Sequence, residues 1–172
     1  MRRITENEPG ICLQQNFLEA MQLLVKYDLS LDVSIKPFQT AETISLIQQC
    51  HENNFILDHL GKPAIATNGF EQFKKDIRQF AAFPNVVAKI SGLITEANWN
   101  SWNTEDIRPY IEYAIEQFGF ERLMFGGDWP VVLLAGSYKK WIDTILEITK
   151  DYTAQQQDRL FYLNAKTIYH IS

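Results

Sequence analysis

The sequence predicts a parallel α/β protein built as a strand followed by a helix, repeated five times, with one further helix at the end. Three observations carry that prediction. Short apolar runs recur at intervals of roughly 25–35 residues, the spacing that βαβ units require. Between them lie segments whose apolar residues repeat with helical period. Several runs end abruptly in glycine, proline or a polar group, as buried strands do when they pass into loops.

Taken in order, Arg2 to Thr5 reads as a short first strand, and Pro9-Gly10 punctuates the turn after it. Phe17, Leu18, Met21, Leu24 and Val25 share one helical face, predicting a helix over about 15–27. Leu29 to Ile35 reads as a strand, with Leu31, Val33 and Ile35 alternating with Asp32 and Ser34, and Pro37 ends it. Thr40 is placed to cap a helix running to Asn53, with Ile44 and Ile47 on its buried side. Phe55-Ile56-Leu57 is the third strand, and it runs directly into Asp58-His59-Leu60-Gly61-Lys62-Pro63. A loop from Ala64 to Gly69 leads to a helix carrying Phe70, Phe73, Ile77 and Phe80. Val86 to Ile90 is the fourth strand, followed by Ser91-Gly92 and a loop holding Glu96, Trp99 and Trp102. Ile107, Ile111, Ala114, Ile115 and Phe118 mark the next helix, which Gly119 closes. Leu123-Met124-Phe125 is the fifth strand, and it meets Gly126-Gly127-Asp128-Trp129-Pro130. A helix with Trp141, Ile142, Ile145 and Leu146 begins near Ser137. Thr153 to Gln156 fits a capping box for the last helix.

Composition narrows the function classes. The chain has 172 residues, 46% hydrophobic and 22% charged, with a net charge of −5, ordinary values for one soluble globular domain covering residues 1–172. Its basic doublets are isolated, so nucleic acid is not an expected partner. No apolar run approaches the ~20 residues of a membrane span, and the first residues lack the apolar core of a signal peptide, so neither a membrane partner nor export is expected. Cys12 and Cys50 stand far apart, which suits free thiols in a reducing, cytoplasmic setting.

Two strand ends carry reactive groups. Ligands bind beyond the carboxyl ends of strands in α/β folds, and that is where His59 and Asp128 fall. Asp128 reads equally well as a turn or helix cap, and a lone histidine such as His59 reads as a satisfied structural residue. Lys89 shares a strand face with Val87 and Ser91. It either contacts a substrate carboxylate or carbonyl, or pairs with a charge on an adjacent strand. Asp58, one residue before His59, is expected to point to the other face. Trp99, Trp102 and Trp129 suit an apolar wall for a ring-shaped ligand or ordinary packing, with packing preferred for Trp102. His51 and His170 sit on helices away from strand ends. No glycine-rich phosphate loop is present. A complete eight-fold barrel takes ~250 residues, so the length suits about five of its eight units, with two unpaired edges that favour self-association.

Three stretches in order, Phe55 to Pro63, Val87 to Leu93 and Arg122 to Pro130, resemble amidohydrolase family 2, and within it the sugar-lactone hydrolases of the L-fuconolactonase type. The resemblance runs along essentially the whole chain and includes the tryptophan-rich loop and Asn164-Ala165. It implies a partial TIM-type (β/α)8 barrel, strands four to eight of eight plus a C-terminal helix. It implies hydrolysis of a sugar-acid lactone by a water that Asp128 activates. His59 would polarise the carbonyl or, with Asp128, hold a divalent metal, zinc foremost, and Lys89, Trp129 and Arg2 would contact substrate. Two departures stand out. The chain has no His-x-His pair, the family's first-strand motif, so metal binding by this chain alone is expected to be weak or absent. Gly127 also occupies a position where the family usually has serine. The alternatives are a truncated or split barrel without catalytic activity, and a decarboxylase of the same superfamily.

Overall fold

The computed structural model describes residues 2–3 and 10–171. Among these residues, five strands form one parallel sheet in sequential order: β1 (Arg2–Arg3), β2 (Leu31–Ser34), β3 (Phe55–Leu57), β4 (Val86–Ile90) and β5 (Leu123–Phe125). Five main helices connect or follow them: α1 (Gln15–Lys26), α2 (Thr40–Gln49), α3 (Phe70–Ala81), α4 (Thr104–Phe118) and α5 (Tyr138–Thr149). The C-terminal helix is composite. α6 (Ala154–Asp158) runs through a π-helical turn, Arg159–Leu163, into α7 (Asn164–Ile168). This is the parallel α/β arrangement that the strand–helix spacing predicts, and its five sequential strands suit the partial barrel that the family resemblance implies. The expected strand residues Ile4 and Thr5 lie outside the described residues.

Alternation along each strand divides the sheet into two faces. Leu31, Val33, Phe55, Leu57, Val86, Ala88, Ile90 and Leu123 join the core with Met21, Ile47, Phe80, Ile111 and Trp141 of the helices. The intervening residues, Asp32, Ile56, Val87, Lys89 and Met124, turn to the opposite, inner face. Register aligns Leu57 with Ala88, and Ala88 with Leu123. The segments that follow β3, β4 and β5 therefore emerge together at one end of the sheet.

Boundaries moved where polar side chains took other partners. Helix α2 stops at Gln49, short of the expected Asn53. Asn53 instead donates to Met21 O at 2.8 Å, tying the next turn to α1. Thr40 lies inside α2 with helical angles, because a 3₁₀ turn over Pro37–Gln39 already begins the helical path. The Thr153–Gln156 capping box forms as predicted, with Gln156 N donating to Thr153 Oγ1 at 3.3 Å. Among the described residues no helix is long and apolar enough to cross a membrane.

Candidate active site at the carboxyl end of the sheet

His59 and Asp128 arrive at the site on unusual backbone. β3 ends at Leu57, and the chain turns tightly through Asp58–Gly61 with His59 at φ +56° and Leu60 at φ +49°. Asp128 follows the two glycines after β5 and stands at φ +53°. Each such non-glycine residue costs on the order of 1–2 kcal/mol relative to a right-handed conformation. The surrounding packing must hold them there.

The two side chains face each other across a gap, with His59 Nε2 3.8 Å from Asp128 Oδ1 and each side chain little exposed. That is too long for a hydrogen bond. On its other side the imidazole is anchored, with His59 Nδ1 2.8 Å from Ser91 Oγ. Burial drives the imidazole down to about 4, with Lys62 and Lys89 adding to the effect and Asp128 opposing it. The ring is therefore neutral at neutral pH. Gly92 lets the groups approach: a Cβ there would lie 2.7 Å from His59 Nδ1 and 2.9 Å from Asp128 Oδ2.

Beneath them Lys89 is caught between two carboxylates. Its Nζ donates to Asp58 Oδ1 at 2.6 Å and to Asp32 Oδ1 at 2.8 Å. Burial opposes the charge, but those hydrogen bonds outweigh it and hold the ammonium above its ordinary range. Tyr169 closes the group from the C-terminal end. Its hydroxyl donates to Asp32 Oδ1 at 2.5 Å and its ring lies 5.4 Å from the Lys89 ammonium. Burial, reinforced by the Asp32 hydrogen bond, pushes the phenol up to about 12.

The expected site residues thus separate into groups. His59 and Asp128 are brought together. Lys89 lies on the inner face in an ion-pair network with Asp32 and Asp58. Trp129 is next to Asp128 in sequence, but its side chain is 71% exposed. The Arg2 side chain lies outside the described residues. Trp102 packs, its indole donating to Ala135 O at 2.6 Å. Trp99 is half-exposed and donates to Thr95 O at 2.8 Å.

Asp58 departs from expectation. It is buried and bonds Lys89 on the inner face rather than turning away. The reason is local: the strand has ended, and in the turn that carries His59 the period-2 rule no longer applies. Its second oxygen, Oδ2, is buried without a hydrogen-bond partner among the described residues. Sequence reasoning also missed Tyr169, 137 positions from Asp32, for which no local pattern exists. Ser91 could have been found, since it shares the Lys89 face at the strand's end. Glu96 is a further neighbour. Burial raises its carboxyl, with Lys62 and Lys36 opposing and Asp128 reinforcing the shift. Gly127 has a packing reason, since a Cβ there would strike the Tyr138 ring.

Comparison with known proteins shows the family. The amidohydrolase family profile matches residues 8–171. The chain is 34% identical over 165 residues to an uncharacterized protein, y4mH, of Sinorhizobium fredii, covering 96% of this chain and 55% of that one. It is 35% identical over 132 residues to L-fucono-1,5-lactonase of Burkholderia multivorans, covering 72% of this chain and 45% of the relative. A crystal structure of an amidohydrolase from Burkholderia multivorans with bound zinc superposes with a TM-score of 0.93 at 29% identity, covering 99% of this chain and 64% of that one. The chain spans about half the length of these curated relatives.

Proposed function

Since the chain belongs to the amidohydrolase family, we propose that it forms the His59–Asp128 part of a hydrolase that opens a sugar-acid lactone. The observation that carries the reading is the 3.8 Å opposition of His59 Nε2 and Asp128 Oδ1 at the carboxyl end of the sheet. The similarity to a relative named as a lactonase supports the substrate class.

The chemistry follows from the groups present. Asp128 accepts a proton from a water held in the gap, and that water attacks the lactone carbonyl. The ring C–O bond then breaks, and the departing oxygen takes up a proton to give the open hydroxy acid. His59, kept neutral by burial, orients the water and carbonyl without adding a positive charge. The exposed Trp129 and Trp99 offer apolar faces to a sugar ring at the mouth.

The pair also suits a divalent metal. Zinc takes histidine nitrogen and carboxylate oxygen as donors, and His59 and Asp128 would offer one of each. Catalytic zinc normally takes three protein ligands, and no group of three or more candidate ligands occurs among the described residues. His59 and Asp128 would be two of the set, with the others supplied by strands outside this sequence. When bound, the ion would supply Lewis acidity at the lactone carbonyl and a more acidic water.

The test is hydrolysis of L-fucono-1,5-lactone and related aldonolactones by the protein purified from its source, with its intact mass measured. Asp128→Asn should lower turnover by at least ~10²-fold, the usual scale of a general base. Unchanged hydrolysis in that variant would remove Asp128 from the mechanism. The outer edges of β1 and β5 have no strand beside them among the described residues. That favours a second reading in which a separate chain completes the barrel. Co-purification of such a chain supports it, and turnover by the 172-residue chain as a monomer rules it out.

A further inference from the structure

A cleft of about 550 Å³ opens between the loop that precedes α3 and the loop that precedes α4. That is room for a small molecule. Neither His59 nor Asp128 lines it. A backbone hydrogen bond from Ala66 N to Glu96 O, 3.0 Å long, joins the two loops.

Part of the lining is apolar. Ile65 and Tyr110 are buried, and the Phe70 ring meets the Tyr110 ring edge-on with centroids 5.0 Å apart. Tyr110 is only 5% exposed, yet its hydroxyl has no hydrogen-bond partner among the described residues. A buried tyrosine hydroxyl normally finds one. Because Tyr110 lines the cleft, a partner for it would come from there.

The rest of the lining is polar and already held in orientation. Asn98 Oδ1 accepts from Asn100 N at 3.2 Å, and Asn103 Oδ1 accepts from Glu105 N at 2.8 Å. Asp106 Oδ2 accepts from Asn103 N at 2.8 Å. The two amide NH₂ groups and Asp106 Oδ1 make no hydrogen bond among the described residues, so two donors and a charged acceptor remain for a ligand. Ser101 adds a hydroxyl that can do either. A polyhydroxylated ring matches both parts: its hydroxyls donate and accept, and its C–H face suits the apolar lining. The Asp106 carboxylate works against an anion, since like charges placed together are costly.

We propose that this cleft is a second binding site, separate from the His59–Asp128 gap, for a neutral sugar ring, with Tyr110, Asn98, Asn103 and Asp106 as its polar contacts. The inference goes beyond the lactonase reading, and its test does not depend on turnover.

The experiment is a titration of the ¹⁵N-labelled 172-residue chain with methyl α-L-fucopyranoside, methyl β-D-glucopyranoside and, as an anionic counterpart, D-gluconate, followed by nitrogen–proton correlation spectra. At least one of the neutral sugars should move the side-chain amide signals of Asn98 and Asn103 in a saturable way, and gluconate should bind about tenfold more weakly or not at all. Tyr110→Phe keeps the buried ring and removes only the hydroxyl, and it should weaken sugar binding by about fivefold, the worth of one ordinary hydrogen bond. Ser101→Trp, at an exposed position in the cleft, should abolish it. Thermal melts check that each variant folds. Shifts confined to the surroundings of His59 and Asp128, no shifts with either neutral sugar, gluconate bound as tightly as the sugars, or unchanged binding in folded Ser101→Trp overturns the proposal. If a variant does not fold, the wild-type shifts alone decide. A protein that fails to open lactones yet shows these shifts would overturn the lactonase reading and leave the cleft standing.

Discussion

Burial holds the His59 imidazole at about 4, below the 6.5 of a free histidine. As pH falls, the unfolded chain takes up this proton before the folded one does. The stability contribution from His59 is therefore full above about pH 6.5, shrinks as pH falls toward 4, and is lost below it. In metal-free protein, His59→Gln should flatten the loss of stability between those two values. Denaturant melts at several pH values measure it, and an unchanged slope would mean that other groups govern the region. Lys89 gives a second prediction. Replacing it by methionine leaves Asp32 and buried Asp58 facing each other without a cation, which should cost ~3–5 kcal/mol in urea unfolding. Adding Asp58→Asn should recover part of that loss. At this scale the sequence was half legible. His59 and Asp128 could be placed because strand ends are marked by glycine and proline. The partners of Lys89 could not, since Asp58 sits in a left-handed turn where alternation fails and Tyr169 is remote.

Helices and strands were more readable than side-chain partners, because burial repeats with a fixed period. Errors fell at ends, where single polar groups decide. Asn53 left its helix to bond Met21, and Thr40 lost its capping role to the preceding 3₁₀ turn. The turn after β4 is the most sensitive connection. Gly92 stands at φ +63°, and a Cβ there would press on both His59 and Asp128. Gly92→Ala should cost ~1–2 kcal/mol from the left-handed backbone and, under the proposed lactonase reading, lower turnover by a larger factor than that loss of stability explains. Comparing a thermal melt with kcat/KM separates the two effects. Trp141 on α5 anchors the other connection, fully buried with its indole donating to Gly126 O at 2.9 Å. Trp141→Ala should destabilise the chain by ~3–5 kcal/mol in urea.

For the molecule as a whole, five sequential parallel strands were legible from strand–helix spacing, while the arrangement of the inner face was not, because it depends on contacts between distant residues. Because no strand lies beside the outer edges of β1 and β5 among the described residues, the 172-residue chain, made alone, is expected to associate as its concentration rises. Sedimentation velocity over a hundredfold concentration range checks this, and a constant monomer would show that the edges are protected. The hydrogen bond from Tyr169 to Asp32 joins residues 137 positions apart. Such a contact closes nearly the whole chain into one loop, so its entropy cost is met only after the shorter loops between neighbouring strands have closed. During synthesis on a ribosome, β2, β3 and β4 can pair while Tyr169 is still inside the exit tunnel. Asp32 and Lys89 would then wait, exposed to water, for the segment that carries Tyr169 to emerge and cover them.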